Sequence, residues 1–117
     1  MNDVNIAVVC GTVSSDPKVR ELPSGSTVTN VEVTTHLDDG ACSVPVVVFE
    51  REVTVAAGDR VVVLGRVVRR FFRAGGVTQS RTELVAARLV RASNRRSVRS
   101  VLAGLDHDLA EQLTEPA

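Results

Sequence analysis

The chain has 117 residues, a length that suits one domain with a modest hydrophobic core. Hydrophobic residues make up 44% of it, which excludes a disordered chain, and no apolar run is long enough to cross a membrane. The net charge is zero, yet residues 60–99 hold eleven arginines and one acid, and residues 104–117 hold four acids and no base. The basic segment predicts contact with a polyanion, the alternative being a solvated face.

The first half of the chain predicts short strands separated by turns. Valine, which favours strands because it is branched at Cβ, occurs 24 times. Strands are expected over residues 4–13, 18–22, 27–35 and 44–49, with turns at Ser14–Pro17, Pro23–Gly25 and Leu37–Gly40. The short segment Arg51–Ala57 is predicted to form a helical turn.

The second half predicts two long strands and a C-terminal helix. Strands over residues 60–70 and 79–91 flank a hairpin tip at Arg73–Gly76, and Gly65 would let its strand bend around a barrel corner. This pattern is typical of an all-β barrel or sandwich. Apolar residues at helical spacing from Val98 to Leu113 predict an amphipathic helix. Its basic start and acidic end oppose the helix macrodipole, so a largely disordered tail is the alternative.

The two cysteines and the N-terminus indicate a reducing compartment. Cys10 and Cys42 lie in apolar, strand-like segments and are expected to be buried, reduced thiols, with a disulfide between them as the less favoured alternative. The N-terminus lacks the basic stretch and long apolar run of a signal peptide, so a cytoplasmic location is expected.

Several short motifs occur in an order that resembles one known family. An opening strand with Asn5 and Gly11 is followed by Asp16-Pro17 and a basic residue, then by a Ser-Gly turn and a strand. Later come an apolar strand ending in Phe49, a glycine-led strand with an arginine-rich, aromatic hairpin, and a closing strand with Glu83. In this order, over residues 4–92, the motifs resemble the bacterial single-stranded DNA-binding protein family.

The resemblance implies a fold and a binding mode. The expected fold is a five-stranded OB-fold barrel with a short helix, spanning residues 1–94, followed by a C-terminal amphipathic helix or tail over 95–117. Such proteins stack bases on aromatic side chains while a basic groove follows the phosphates. The resemblance also implies a homotetramer that acts in DNA replication, recombination or repair, with replication or repair proteins as further partners.

Nine residues are the candidate single-stranded DNA contacts. Phe49 and Phe72 are the stacking candidates, although Phe49 at the end of an apolar run fits the core equally well. Phe71 and Phe72 must face opposite sides of a strand, and Phe72 is expected to be the exposed one. The basic candidates are Arg20, Arg51, Arg70 and Arg81, which match basic positions of the motifs, and Arg66, Arg69 and Arg73, which surround the hairpin.

Departures from the family pattern leave alternatives open. The chain has no tryptophan, and Ser43 stands where the family usually has one. The C-terminus also lacks the family's phenylalanine-capped acidic tip. The main alternative is therefore an OB-fold protein-interaction module of the replication or primosome machinery, with weak or no DNA binding. RNA binding is a third candidate.

An enzyme is not expected. No nucleophile motif or phosphate-cradling loop occurs, and His36 and His107 stand apart from other metal-ligand residue types, so neither a metal nor a cofactor is predicted.

Overall fold

Six strands and one helix make up the computed structural model, which describes residues 3–114. The strands are β1 (Ala7–Val13), β2 (Lys18–Glu21), β3 (Thr27–Leu37), β4 (Gly40–Phe49), β5 (Arg60–Ala74) and β6 (Val77–Arg91), and the helix is α1 (Arg95–Leu113). No helix within the described range is long and apolar enough to cross a membrane.

Five of the strands close into a barrel. The hydrogen-bonded order is β1-β5-β6-β4-β3, and a second pairing of β1 with β3 completes the ring. Every pairing is antiparallel except that of β4 with β6. The short strand β2 adds to the outer edge of β3. The predicted all-β, OB-fold-like barrel is therefore confirmed.

Alternate valines fill the barrel. Side chains alternate between the two faces of a strand, so every second residue points inward. The buried core consists of Val13, Val31, Val33, Val46, Val48, Val55, Val61, Val63 and Leu84. The residues between these valines, such as Asn30 and Glu32 on β3, therefore point outward and form the outer surface of the sheet.

Two glycines allow the strands to approach closely at barrel corners. A Cβ added at Gly11 would lie 2.5 Å from the carbonyl oxygen of Thr34, where β1 turns from β5 towards β3. At Gly65, an added Cβ would overlap the carbonyl oxygen of Val85 and lie 2.7 Å from the side chain of Leu84. The β5–β6 register also shifts between Leu64 and Gly65. The bend predicted at Gly65 thus falls where no side chain fits.

The helical turn predicted at Arg51–Ala57 is wrong. The segment between β4 and β5 carries no helix and runs without regular structure to a turn at Ala57–Gly58. Val55 is buried in the barrel core, and the guanidinium of Arg91 donates a hydrogen bond to the carbonyl oxygen of Thr54 at 2.8 Å. Three consecutive β-branched residues, from Val53, also disfavour a helix.

The C-terminal segment forms the helix rather than the tail. Asn94 caps α1 by accepting a hydrogen bond from the Ser97 amide at 3.1 Å. Val101 is fully buried against Val62 and Leu64 on the outer face of β5. Packing of this apolar stripe compensates for the unfavourable charge order along the helix. Glu115–Ala117, at the end of the predicted C-terminal segment, lie outside the described residues.

The prediction that both cysteines are buried is wrong. Cys10 and Cys42 are exposed, and both thiols are free. On β1 the inward positions are occupied by Val9, Gly11 and Val13, so Cys10 points outward.

Candidate nucleic-acid interface

The β5–β6 hairpin extends past the barrel. The pairing of β1 with β5 ends at Gly65, and the pairing of β4 with β6 involves only Leu84 and Val85, whereas β5 and β6 stay paired out to Ala74 and Val77. Residues 66–83 therefore form a two-stranded projection, which we call the hairpin arm. The Asn5 side chain bonds the Val67 backbone at the base of the arm, donating to its carbonyl at 2.7 Å and accepting from its amide at 2.9 Å.

Arginine and phenylalanine occupy both faces of the hairpin arm. The outer face, continuous with the outer surface of the sheet, carries Arg70 and Phe72 on β5, opposite Arg81 and Gln79 on β6. The opposite face carries Arg69, Phe71, Arg73 and Ser80. On each face a guanidinium lies over a ring, Arg69 at 4.9 Å from the centroid of Phe71 and Arg70 at 5.4 Å from that of Phe72.

A buried carboxylate holds the two arginines of the outer face. Arg70 and Arg81 are direct cross-strand partners, an arrangement that places like charges side by side. Glu83, which is only 7% exposed, accepts from the Nε of Arg70 at 3.1 Å and from the Nε of Arg81 at 3.2 Å, one on each oxygen. The two guanidinium groups are therefore fixed next to each other, while their side chains stay 45% and 42% exposed.

A second carboxylate extends this network across the sheet. Arg81 lies 3.5 Å from the Oε1 of Glu32 on β3, and the Ser43 hydroxyl donates to the Oε2 of Glu32 at 2.7 Å. Four strands, β3, β4, β5 and β6, thus contribute to one chain of polar contacts on the outer surface.

The members of this network except Ser43 line a concavity of about 380 Å³ between β2–β3 and the base of the hairpin arm, which we call the groove. Its lining contains four bases and three acids. The full set is Ser15, Asp16, Lys18, Arg20, Asn30, Glu32, Arg70, Arg81 and Glu83. Three of the nine predicted contact residues, Arg20, Arg70 and Arg81, therefore meet in one place.

Phe49 adjoins the groove rather than lying in the core. It is 46% exposed and pairs with Val28, which in turn pairs with Arg20 on β2. Arg20 and Phe49 therefore lie in one cross-strand row, on either side of Val28. This resolves the open choice at Phe49 in favour of an exposed position.

The prediction that Phe72 is the exposed member of the aromatic pair is wrong. Phe71 is 63% exposed, whereas Phe72 is half-buried. By strand alternation Phe71 occupies an inward position, but the arm has already left the barrel there and no core lies beneath it. Phe72 nevertheless shares its face with Arg70 and Arg81.

The other predicted arginines lie outside the groove. Arg51 donates to the carbonyl oxygen of Ala87, and Arg66 lines a separate concavity beside α1. Arg69 donates to the Ser80 hydroxyl at 3.2 Å, and Arg73 donates to the Gly76 carbonyl oxygen at 2.7 Å. Arg69 and Arg73 thus belong to the opposite face of the arm.

The sequence analysis did not predict five other polar or charged residues of the groove and its network. Lys18, Asn30, Glu32, Ser43 and Glu83 all belong to the groove or its polar network. A signal for Glu32 existed, because the buried positions Val31 and Val33 place it on the outer surface by alternation. Glu83 was identifiable as the single acid in the basic segment.

Comparison with protein families supplies the decisive observation. The model of the Single-strand binding protein family matches residues 4–92, which include all six strands and stop before α1. The chain belongs to the single-strand binding protein family. Its groove and hairpin arm lie within the region that the family model matches, whereas α1 lies beyond it.

A solved structure supports the same fold for this single-strand binding family member. The structure described as the Plasmodium falciparum SSB complex with ssDNA superposes with a TM-score of 0.68 at 18% sequence identity, covering 78% of this chain and 96% of that one. At this identity the likeness bears on the fold alone. The comparison with curated proteins gave no match.

Proposed function

We propose that this protein binds single-stranded DNA without requiring a defined sequence, and that it does so as a binding protein rather than as an enzyme. The observation that carries the proposal is the meeting of Arg20, Arg70 and Arg81 in one groove of a single-strand binding family barrel. Guanidinium groups bind phosphates, and the flanking phenylalanine rings stack on any base.

Aromatic rings next to the groove favour a single strand over a duplex as its ligand. Phe49 and Phe72 present ring surfaces at its borders, and a base has to be unstacked from its neighbours to use them. The site has fewer aromatic surfaces than a tryptophan-bearing relative would offer. We therefore expect a binding affinity lower than such relatives reach.

Fluorescence anisotropy tests this proposal directly. A labelled single strand of mixed sequence, about 35 nucleotides long so that it exceeds the site size of one OB-fold, is titrated at low and high salt with a duplex of equal length as control. We expect binding to the single strand that weakens with salt, and weaker binding to the duplex. Absence of binding at low salt would reject the proposal.

Two matched variants locate the contact face. Phe72→Ala removes a ring from the groove face, and Phe71→Ala removes the more exposed ring from the opposite face of the arm. Loss of a stacking platform costs about 1–3 kcal/mol per base. We expect Phe72→Ala to weaken single-strand binding and Phe71→Ala to leave it nearly unchanged, and the reverse result would move the path of the strand to the other face.

Finer aspects of the function are part of the proposal. A role in DNA replication, recombination or repair and a homo-oligomeric, tetrameric assembly follow the family resemblance. Leu102 and Leu113 on α1 are 48% and 68% exposed, which favours self-association through the helix. A cytoplasmic location fits the two free thiols. Single-stranded RNA remains a second ligand for the same titration.

The protein-interaction module is the second candidate function, and the exposed leucines of α1 favour it. Truncation after Asn94 would also uncover Val62 and Leu64, so surface substitution is the cleaner test. In this alternative the double variant Leu102→Gln, Leu113→Gln loses a replication or repair partner in pull-down experiments, while the wild-type protein fails to bind single strands.

A further inference from the structure

Glu32 is a carboxylate that lines a groove proposed to hold a polyanion. It projects from β3 on the outer surface, and its side chain is 39% exposed. An acid here repels phosphates, so its presence needs a reason other than backbone binding.

Structural need does not account for Glu32. Its partner Arg81 already has a closer carboxylate, because Glu83 lies 3.2 Å from the Nε of Arg81 whereas Glu32 lies 3.5 Å from an outer nitrogen. An ion pair this exposed contributes little to stability. The contacts with Arg81 and with the Ser43 hydroxyl do, however, fix the orientation of the carboxylate.

The fixed carboxylate retains free acceptor capacity. Its two oxygens offer about four lone-pair sites, and the two contacts use one on each oxygen. A nucleotide whose base enters the groove therefore meets an acceptor that is already charged and positioned.

Bases differ in what they present to such an acceptor. In a single strand the Watson–Crick edge is free for protein contacts. Cytosine and adenine carry an exocyclic amino donor there, and guanine offers two adjacent N–H donors that match a carboxylate in bidentate fashion. Thymine and uracil offer one N–H donor, which lies between two carbonyl oxygens. These oxygens repel the negatively charged oxygens of a carboxylate.

We infer that Glu32 shifts the base preference of this protein towards bases that carry an amino group and away from thymine and uracil. The inference rests on the proposed single-strand binding, and it assigns a base-discriminating role to a residue of the same groove. The four basic residues of the groove, Lys18, Arg20, Arg70 and Arg81, hold the phosphates around the selected base.

Paired homopolymers test the inference. Labelled oligo-dC and oligo-dT of equal length are titrated by anisotropy at one salt concentration, and the ratio of the dT to the dC dissociation constant is the readout. Stacking and backbone flexibility also affect this ratio, so the change between proteins is what reports on Glu32. We expect the ratio to be about fivefold higher or more in the wild-type protein than in Glu32→Leu, the lower end of the discrimination that one good base contact provides. The ratio should fall in Glu32→Gln, whose amide is a weaker, uncharged acceptor, and fall further in Glu32→Leu, which has no acceptor.

Glu52→Gln is the matched control, because it removes one exposed negative charge outside the groove. It is expected to change both affinities slightly and to leave the ratio at the wild-type value. A ratio that is the same in Glu32→Gln, Glu32→Leu and the wild type would overturn the inference while leaving single-strand binding intact. Failure of the wild-type protein to bind either homopolymer would instead overturn the proposed function, and the inference with it.

Discussion

Glu83 shows how a single residue organises a basic surface. It is the one acid among the eleven arginines of residues 60–99, and it lies almost fully buried between Arg70 and Arg81. Arg70 and Arg81 are opposite each other on neighbouring strands, and without Glu83 the repulsion between their two positive charges would not be neutralised. The carboxylate therefore stabilises the base of the hairpin arm and sets the positions of two proposed phosphate ligands.

Replacing Glu83 with glutamine tests this role. The variant keeps the shape of the side chain but loses the charge that holds both arginines, so we expect a loss of about 1–2 kcal/mol in the free energy of unfolding. Urea denaturation followed by circular dichroism measures it. Glu52→Gln, an exposed acid outside the network, should unfold at the wild-type midpoint. Equal midpoints for the two variants would show that the arginines do not need Glu83.

Gly65 sets the direction of a structural element, the hairpin arm, as Glu83 sets the positions of two side chains. It marks the place where β5 leaves the barrel, and the β5–β6 register shifts there. The backbone of β6 comes so close that the carbonyl carbon of Val85 would lie 2.8 Å from an added Cβ. The direction of the hairpin arm, and with it the groove, depends on this close approach.

Gly65→Ala and Gly104→Ala form a matched pair of substitutions. At Gly65 the methyl group has no space, so we expect a loss of about 3 kcal/mol or more, or failure to fold. Gly104 lies in α1 with open space around its Cα, so alanine there should stabilise the protein by about 0.5–1 kcal/mol through its higher helix propensity. Thermal unfolding measures both changes. A tolerated Gly65→Ala would mean that the corner can relax and that the arm is not fixed by it.

The elements differ in how well the sequence predicted them, for physical reasons. Alternating valines and glycine-containing turns identify the strands, because burial on one face leaves a period of two in the sequence. Arg51–Ala57 was misassigned because its conformation is set by contacts with residues distant in sequence. Val55 is buried in a core formed by the strands, and Arg91 donates a hydrogen bond to Thr54. Exposure of Phe71 was missed for a similar reason, since alternation gives the face of a strand but not where the barrel ends.

The groove as a whole was predicted only in part. The family resemblance supplied Arg20, Arg70 and Arg81, which do meet, but it also supplied Arg51, which bonds a backbone carbonyl elsewhere. Position around the hairpin added Arg66, Arg69 and Arg73, which lie outside the groove. A count of arginines cannot separate the two faces of a hairpin arm, whereas the cross-strand register does so directly.

At the scale of the whole molecule, the positive and negative charges are equal in number but lie in different segments of the chain. The net charge is zero, so the protein as a whole does not attract DNA over long distances. We therefore expect DNA binding to depend on local contacts with phosphates. The number of these contacts can be read from the salt dependence of the affinity. The groove contains four bases, Lys18, Arg20, Arg70 and Arg81.

A salt titration of single-strand binding therefore reports how much of the surface is used. With about −0.7 for each phosphate contact, four contacts give a slope near −3 in a plot of log affinity against log salt concentration. Arg20→Ala should reduce the slope by about 0.7, whereas Arg99→Ala on the exposed surface of α1 should not change it. A slope near −4 would indicate that Arg69 and Arg73 on the opposite face of the hairpin arm also contact the strand. Equal effects of the two substitutions would contradict binding in the groove, because they would show that the strand responds to the overall charge of the protein rather than to its local contacts.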